Sequence, residues 1–141
     1  MPATAVWMFV AVRHVEQRVI DHLRAGGFDD LTLAQARLAA RLDDAGMRLT
    51  ELAAAAQVTK QTAGFLVDQL ERAGYVERRP DPTDARARLV VIAPRGRRAQ
   101  QRAREVEEAV EAEWEAHLGA DRMAGLRQSL LDLREITDPW A

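Results

Sequence analysis

The order of structural signals between residues 49 and 96 limits the possible folds of this chain more than any other part of its sequence. Two short helix patterns come first, separated by a tight turn near Val58, and Gly74 ends the second by the usual glycine stop. Two strand patterns follow, at 75–79 and 87–92, with a Pro-rich turn between them. This order predicts a helix, a turn, a second helix and a hairpin beside them.

Capping residues and hydrophobic spacing predict where the helices begin. Thr32 and Gln35 form a capping box for a second helix. Thr50 and Thr59 are N-cap candidates for a third and a fourth helix, and Pro94 suits the first turn of a fifth. The expected helices cover residues 4–25, 32 to about 41, 50 to about 57, 59–73, 94 to about 118, and a segment after residue 121.

Together these elements predict a mainly α fold with a small β-hairpin wing, which is the arrangement of a winged helix-turn-helix. Residues 80–84 are expected to form the hairpin tip, because two prolines there interrupt strand pairing. A length of 141 residues predicts a single domain over 1–141. Within it, residues 30–96 are expected to form the winged-helix lobe, and 1–26 and 97–141 a flanking helical region.

The net charge of −2 conceals an uneven distribution. Residues 58–104 contain eleven basic and five acidic side chains, whereas the rest of the chain contains nine basic and seventeen acidic ones. A single basic block in an otherwise acidic protein indicates one surface that meets an anion. Because the block coincides with the helix-turn-helix and the hairpin, double-stranded DNA is the anion that the sequence favours.

The fourth helix predicts one buried and one exposed face. Its core face is expected to consist of Ala63, Leu66, Val67 and Leu70. The N-terminal half of such a helix enters a major groove. Gln61 suits an adenine edge, Lys60 a guanine or a phosphate, and Thr62 either. The helix N-terminus at Thr59 favours a phosphate. An ordinary solvated helix face is the alternative interpretation.

Gly64 and Phe65 interrupt this polar face. Phe65 lies on the outward side, where it either contacts a thymine methyl or packs on a neighbouring element, and the second role is favoured on sequence alone. Gly64 weakens the helix by ~1 kcal/mol relative to alanine. Its presence indicates the close approach of another backbone, either protein or DNA. We include Phe65 among the candidate DNA-binding residues.

The hairpin adds a second candidate surface for DNA. An arginine at a hairpin tip can enter a minor groove, where the potential is most negative. Asp84 is placed to hold the Arg86 guanidinium through a charge-assisted hydrogen bond, with Asp81 as an alternative partner. Ordinary surface ion pairs are the competing interpretation. The candidate DNA-binding residues here are Arg78, Asp84, Arg86 and Arg88, and Arg79 lies among them.

The fifth helix has arginines in its first half and glutamates in its second, an order that opposes the helix macrodipole. Such a local conflict indicates a tertiary or functional constraint. The arginines either touch phosphates beside the hairpin or pair with acidic groups of the terminal helices. They are Arg95, Arg97, Arg98, Arg102 and Arg104.

Several motifs occur together between residues 31 and 96. They are Leu31–Gln35, Leu49–Ala53, the segment from Val67 to Arg78, the wing sequence Pro80-Asp81-Pro82-Thr83-Asp84-Ala85-Arg86-Ala87, Leu89, and Pro94-Arg95-Gly96. With these motifs the chain resembles the MarR family of winged-helix transcription regulators. The wing sequence is the most specific part of the resemblance.

The resemblance implies a homodimer whose N- and C-terminal helices form the interface, and which binds a pseudo-palindromic operator, usually as a repressor. It also implies release from DNA by a small aromatic or phenolic compound bound between the dimer region and the DNA-binding lobe. By position, Lys60, Gln61 and Thr62 would contact bases or phosphates. Arg86 would enter the minor groove and Asp84 would orient it.

Four further side chains lie on helices that could line such a ligand crevice, although packing in the core or the interface is the favoured role. They are Trp7, His14, Trp114 and His117.

Other function classes find little support. The absence of cysteine excludes disulfides, thiolate metal sites and thiol redox switches. No catalytic triad, metal motif or glycine-rich phosphate loop stands out, so we predict no enzyme activity, cofactor or metal. The apolar run 3–12 is too short to span a bilayer, and a cytoplasmic protein is expected. The alternative function is a winged-helix module that binds another protein, which Phe65 and the acidic bulk favour.

Overall fold

The computed structural model describes residues 1–138 as six helices and one antiparallel two-stranded hairpin. The mainly α fold with a small wing is thereby confirmed, and residues 139–141, at the end of the expected flanking region, lie outside the described residues. The elements are α1 (Thr4–Ala25), α2 (Leu33–Ala39), α3 (Leu49–Ala56), α4 (Lys60–Arg72), β1 (Val76–Asp81), β2 (Asp84–Ile92), α5 (Pro94–Leu118) and α6 (Ala120–Thr137).

Two of the predicted helix caps are confirmed. At α2 the Gln35 amide donates to the Thr32 hydroxyl at 3.2 Å, and the Thr32 amide donates to the Gln35 side chain at 3.1 Å. At α4 the Thr62 amide donates to the Thr59 hydroxyl at 3.1 Å. Each cap satisfies a backbone donor that the first turn of a helix leaves without a partner. The starts of α2 and α4 could therefore be predicted from the local sequence.

The predicted cap at Thr50 is wrong. Arg48 precedes α3 in extended conformation, makes no side-chain cap, and the helix begins at Leu49. The cause is tertiary, because Met47 pairs with Val90 of β2 through backbone hydrogen bonds of 3.0 and 2.8 Å. That pairing holds the chain extended up to Arg48 and lets α3 start immediately afterwards.

The second helix is shorter than expected, ending at Ala39 rather than near Arg41. The amides of Arg41 and Leu42 bond to carbonyls three residues back, at 3.1 Å each. The last turn has therefore tightened into 3₁₀ geometry, a common helix ending that spacing patterns do not reveal.

The wing hairpin is longer than predicted. Strand β1 includes Pro80 and Asp81, and β2 already begins at Asp84, so only Pro82 and Thr83 remain at the tip. The register shifts after the Pro80–Arg88 pair, and Asp81 then lies opposite Asp84. Pro80 has no backbone N–H to donate. It is tolerated because both strands of a two-stranded ribbon are edge strands, so the position without a donor can face outward. The expectation that 80–84 cannot be strand is thus wrong.

The core lies between α2, α3, α4 and the base of the wing. All four core residues predicted on α4 are buried, and Ala63 and Val67 have no exposed surface. Tyr75 is 2% exposed and connects this core to α5. A side chain at Gly96 would collide with the Tyr75 carbonyl oxygen and with Ile92, so glycine allows α5 to begin against the wing base.

The charge order of α5 has a tertiary explanation. Arg95 donates to the Ala73 carbonyl at the end of α4, at 2.6 Å, and Arg102 donates to the His22 carbonyl in the last turn of α1, at 2.9 Å. Two of the arginines therefore bind the negative ends of neighbouring helices, which offsets their unfavourable position at the start of their own. The acidic half pairs with cations of α1 and α6, through Arg18–Glu113 at 2.5 Å and Arg127–Glu111 at 2.6 Å.

The terminal helices leave much apolar surface exposed. On α1, Trp7 is 54% and Phe9 60% exposed. On α6 Met123 is buried, whereas Leu130 is 42% exposed. No helix within residues 1–138 combines the length and the hydropathy needed to cross a membrane.

Candidate nucleic-acid interface

The first turn of α4 presents an open polar set. Lys60 and Gln61 are exposed, and neither side chain has a partner within residues 1–138. Thr59 and Thr62 behave differently, because the Thr59 hydroxyl caps the helix and donates to the Thr62 hydroxyl at 3.0 Å. The two threonines thus order the helix start, while Lys60 and Gln61 remain available to an external partner.

Phe65 stands 62% exposed one turn further along α4. The favoured expectation, that it packs on a neighbouring element, is wrong for the described chain. Its neighbour Gly64 is not required by the fold either, because a methyl there would meet only Leu49 Cδ2, at an ordinary contact distance of 3.5 Å. Packing within the described monomer therefore explains neither Phe65 nor Gly64.

Arg78 is held by the outward side of α4. Its guanidinium lies 2.8 Å from Asp68 and 2.9 Å from Glu71, and its backbone amide also donates to Glu71 at 3.0 Å. This network attaches the first strand of the wing to α4 and offsets part of the negative charge of two carboxylates that would repel phosphates. Arg79 is paired as well, with Glu77 at 2.8 Å. The structure therefore gives Arg78 an internal role that the sequence did not indicate.

The wing beyond Arg79 has open cations. Arg86 and Arg88 are exposed, and neither guanidinium has a partner in the part of the chain that the structure describes. Asp84 does not hold the Arg86 guanidinium as predicted. Its carboxylate instead accepts the Arg86 backbone amide at 3.0 Å, an Asx-type turn that orders the chain after the tip. The two-residue spacing that suggested a side-chain pair also suits this turn.

Asp81 and Arg48 form a contact that sequence reasoning missed. Asp81 is 8% exposed, accepts the Thr83 amide and hydroxyl at 2.8 Å each, and pairs with Arg48 at 2.9 Å. The Thr83 amide and hydroxyl, followed by Arg48, lower the pKa of Asp81. The pair joins the wing tip to the start of α3. No local signal could have found it, since 33 residues separate the partners.

A second cluster fixes the base of the wing. The Tyr75 hydroxyl donates to Asp30, and Arg95 binds the same carboxylate at 3.0 and 3.2 Å while covering the Tyr75 ring at 4.3 Å. Burial, reinforced by Asp30, raises the pKa of Tyr75. Burial opposes ionisation of Asp30, but hydrogen bonds from Tyr75 and Arg95 outweigh it and lower the Asp30 pKa.

Comparison with known proteins identifies this arrangement. The MarR family model matches residues 29–87, which span α2, the helix-turn-helix and most of the wing. Over these residues the chain is similar to the MarR family. This similarity supports a DNA-binding transcription regulator. Comparison with curated protein sequences gave no match.

Solved structures of MarR-type regulators share the fold over nearly the whole chain. A transcriptional regulator from Thermotoga maritima, Tm0710, is 26% identical, with a TM-score of 0.62 and coverage of 94% of this chain and 92% of that one. MarR from E. coli is 23% identical, with a TM-score of 0.69 and coverage of 94% and 97%. A MarR regulator from Methanosarcina mazei is 16% identical, with a TM-score of 0.76 and 93% of each chain covered. The similarity thus includes the terminal helices that the family model leaves out.

A cavity lies between the flanking helices and the winged-helix lobe. The resemblance to the MarR family implies a ligand site in the same region. The cavity has a volume of about 480 Å³ and is lined by residues of α1, α2, α5 and the wing base. Its wall is mostly apolar, and its polar groups are Asp43, Asp44, Tyr75, Gln100, Arg104 and Glu107. None of the four residues expected at a ligand crevice lines it: Trp7, His14 and His117 are exposed, and Trp114 is half-buried elsewhere.

A metal centre is absent from the described residues. No group of three or more histidine, aspartate or glutamate side chains within 1–138 is arranged to hold an ion.

Proposed function

We propose that this chain is a cytoplasmic, homodimeric transcription regulator of the MarR family that binds a pseudo-palindromic operator as a repressor. One observation carries the proposal. The first turn of α4 and the wing both carry open polar or cationic side chains, and the Arg78–Asp68 contact of 2.8 Å attaches the wing to α4. Lys60, Arg86 and Arg88 supply positive charge there without internal partners among residues 1–138. Such a surface suits a major groove flanked by a minor groove.

The exposed apolar helices support the homodimer. Val10 and Leu130 are 53% and 42% exposed on α1 and α6, within a larger set of exposed apolar side chains on the same two helices. Contiguous apolar surface of this kind usually marks an interface. Two copies related by a two-fold axis would place two α4 helices ~34–36 Å apart, one turn of DNA.

The cavity beside Tyr75 supports control by a small molecule. Its volume of about 480 Å³ fits a small aromatic compound, and Arg104 in its wall has no partner within the described residues. We propose that a small aromatic or phenolic compound binds there and releases the operator. Ala103 also lines the cavity, so Ala103→Phe should fill it and abolish release without reducing DNA affinity.

The decisive experiment is selection of bound DNA from a random pool, followed by a salt titration of the selected site. We expect enrichment of a two-fold symmetric sequence and an affinity that falls by at least ~10²-fold between 50 and 200 mM salt, because several phosphates are neutralised. Failure to enrich any sequence at low salt would support the alternative, a module that binds protein through exposed groups such as Phe65.

A further inference from the structure

Phe65 is an apolar side chain within an otherwise polar and cationic surface. It is 62% exposed on the outward side of α4, one turn after Gln61. The other large exposed apolar side chains lie at residue 1 and on α1 and α6. A dimer built on those helices would therefore not cover Phe65. A partner that contacts Phe65 must therefore also be compatible with the positively charged side chains around it.

Gly64 provides a second observation at the same place. It lies inside a helix with no positive φ, and an added methyl would meet only Leu49 Cδ2 at 3.5 Å. Neither backbone conformation nor internal packing therefore requires a glycine, which is an unfavourable residue in a helix interior. The missing side chain leaves a smooth patch beside the Phe65 ring, which favours close approach of a partner from outside.

Charge defines that partner. Lys60 precedes Phe65 by about one turn, and the wing cations Arg86 and Arg88 have no internal partners in the described chain. Asp68, which follows Phe65, is paired with Arg78 at 2.8 Å. The partner is thus a polyanion with an apolar group exposed at its surface. In the DNA major groove that group is the C5-methyl of a pyrimidine.

We propose that Phe65 contacts the C5-methyl group of a thymine in each operator half-site, and that Gly64 allows the close approach this contact needs. The inference rests on the proposed function and deepens it, because it names a chemical feature of the operator. Since four helical residues advance ~6 Å, the thymine should lie within about two base pairs of the base contacted by Gln61.

The test removes one methyl at a time from a selected operator. Deoxyuridine replaces each thymine in turn, and binding is measured for the wild-type protein and for Phe65→Ala. At one position per half-site we expect the operator affinity of the wild type to fall about fourfold. This factor corresponds to the free energy of burying one methyl-sized group. Phe65→Ala should bind the thymine and uracil sites equally, whereas Phe65→Leu should keep part of the preference.

A second comparison restores the methyl without restoring thymine. At the same position a 5-methylcytosine pair should bind the wild type more tightly than a cytosine pair, and Phe65→Ala should not distinguish the two. An equal uracil effect in wild type and Phe65→Ala, or no uracil effect at any position, would overturn the inference and leave the proposed function intact. If the wild type selects no DNA at all, the proposed function itself fails.

Discussion

The winged-helix lobe and the terminal helices use charged and apolar side chains in opposite ways. In the lobe the large apolar residues other than Phe65 are buried or half-buried, whereas Lys60, Arg86 and Arg88 face outward without internal partners in the described chain. On the terminal helices several charges are paired, as in Arg18–Glu113 at 2.5 Å, and many apolar residues remain exposed.

The difference indicates two kinds of partner. An open set of cations is satisfied by an anion, and its affinity is sensitive to salt. An open apolar surface is satisfied by another apolar surface, and the most available one is the same surface of a second copy. The two regions should therefore respond differently when a single charge is added or removed.

The largest effect should come from placing a charge on the apolar region. We expect Leu130→Lys to raise the dimer dissociation constant by at least ~100-fold, because a lysine without a partner would be buried in the interface. Operator affinity should fall as well, since a monomer has one winged-helix lobe and makes only half of the contacts that a dimer makes. Gln128→Lys is the matched control, since Gln128 lies on another side of α6 and bonds to Asp132 at 2.8 Å. Light scattering and gel shifts measure both effects, and a dimeric Leu130→Lys protein would contradict the interface assignment.

Removing an open cation from the wing should have the next largest effect. We expect Arg86→Ala to weaken operator binding by ~10-fold or more and to reduce the salt slope by about one for each half-site. Arg79→Ala removes the same charge from a side chain already paired with Glu77 at 2.8 Å, and should have a much smaller effect. Equal losses in the two variants would mean that net charge, rather than the position of Arg86, determines binding.

The lobe's core and caps could be predicted because they depend on residues three or four apart. The spacing of Ala63, Leu66, Val67 and Leu70 gave the buried face of α4, and Thr59 gave its start. The wing motif and the resemblance to the MarR family were likewise local, and the family model that matches residues 29–87 confirms the resemblance.

Contacts between distant elements could not be predicted in the same way. Whether Arg78 faces DNA or binds Asp68 depends on how β1 lies against α4, and the shape of the tip depends on Asp81 meeting Arg48. The two-residue separation of Asp84 and Arg86 is compatible with a side-chain pair and with an Asx turn. In the structure the Asx turn forms. Helical spacing placed Phe65 on the outward side of α4, but whether a neighbouring element covers it depends on tertiary packing.

A smaller effect should separate stability from binding in the lobe. Gly64→Ala should increase the free energy of unfolding by ~1 kcal/mol through helix propensity, because the added methyl meets only an ordinary contact with Leu49. The same methyl should weaken operator binding if DNA approaches there. Thermal unfolding and gel shifts measure the two effects. A variant that is more stable and binds as tightly as wild type would mean that no partner approaches this part of α4.

The smallest effect concerns pH and the base of the wing. Because hydrogen bonds from Tyr75 and Arg95 lower the pKa of Asp30 below its ordinary value of 3.8, this carboxylate stabilises the fold at neutral pH. A depressed carboxyl pKa means that the stabilisation is present above about pH 4 and is lost as the pH falls through the folded-state value. Asp30 is 44% exposed, so we expect a contribution below ~1 kcal/mol.

Urea unfolding should therefore find Asp30→Asn less stable than wild type at pH 7, and the difference should shrink as the pH falls below about 4. The neighbouring Asp29→Asn, which removes a carboxylate without a hydrogen bond to Tyr75 or Arg95, should differ little from wild type at either pH. A constant difference between Asp30→Asn and wild type across this range would mean that the side chain acts through packing rather than through its charge.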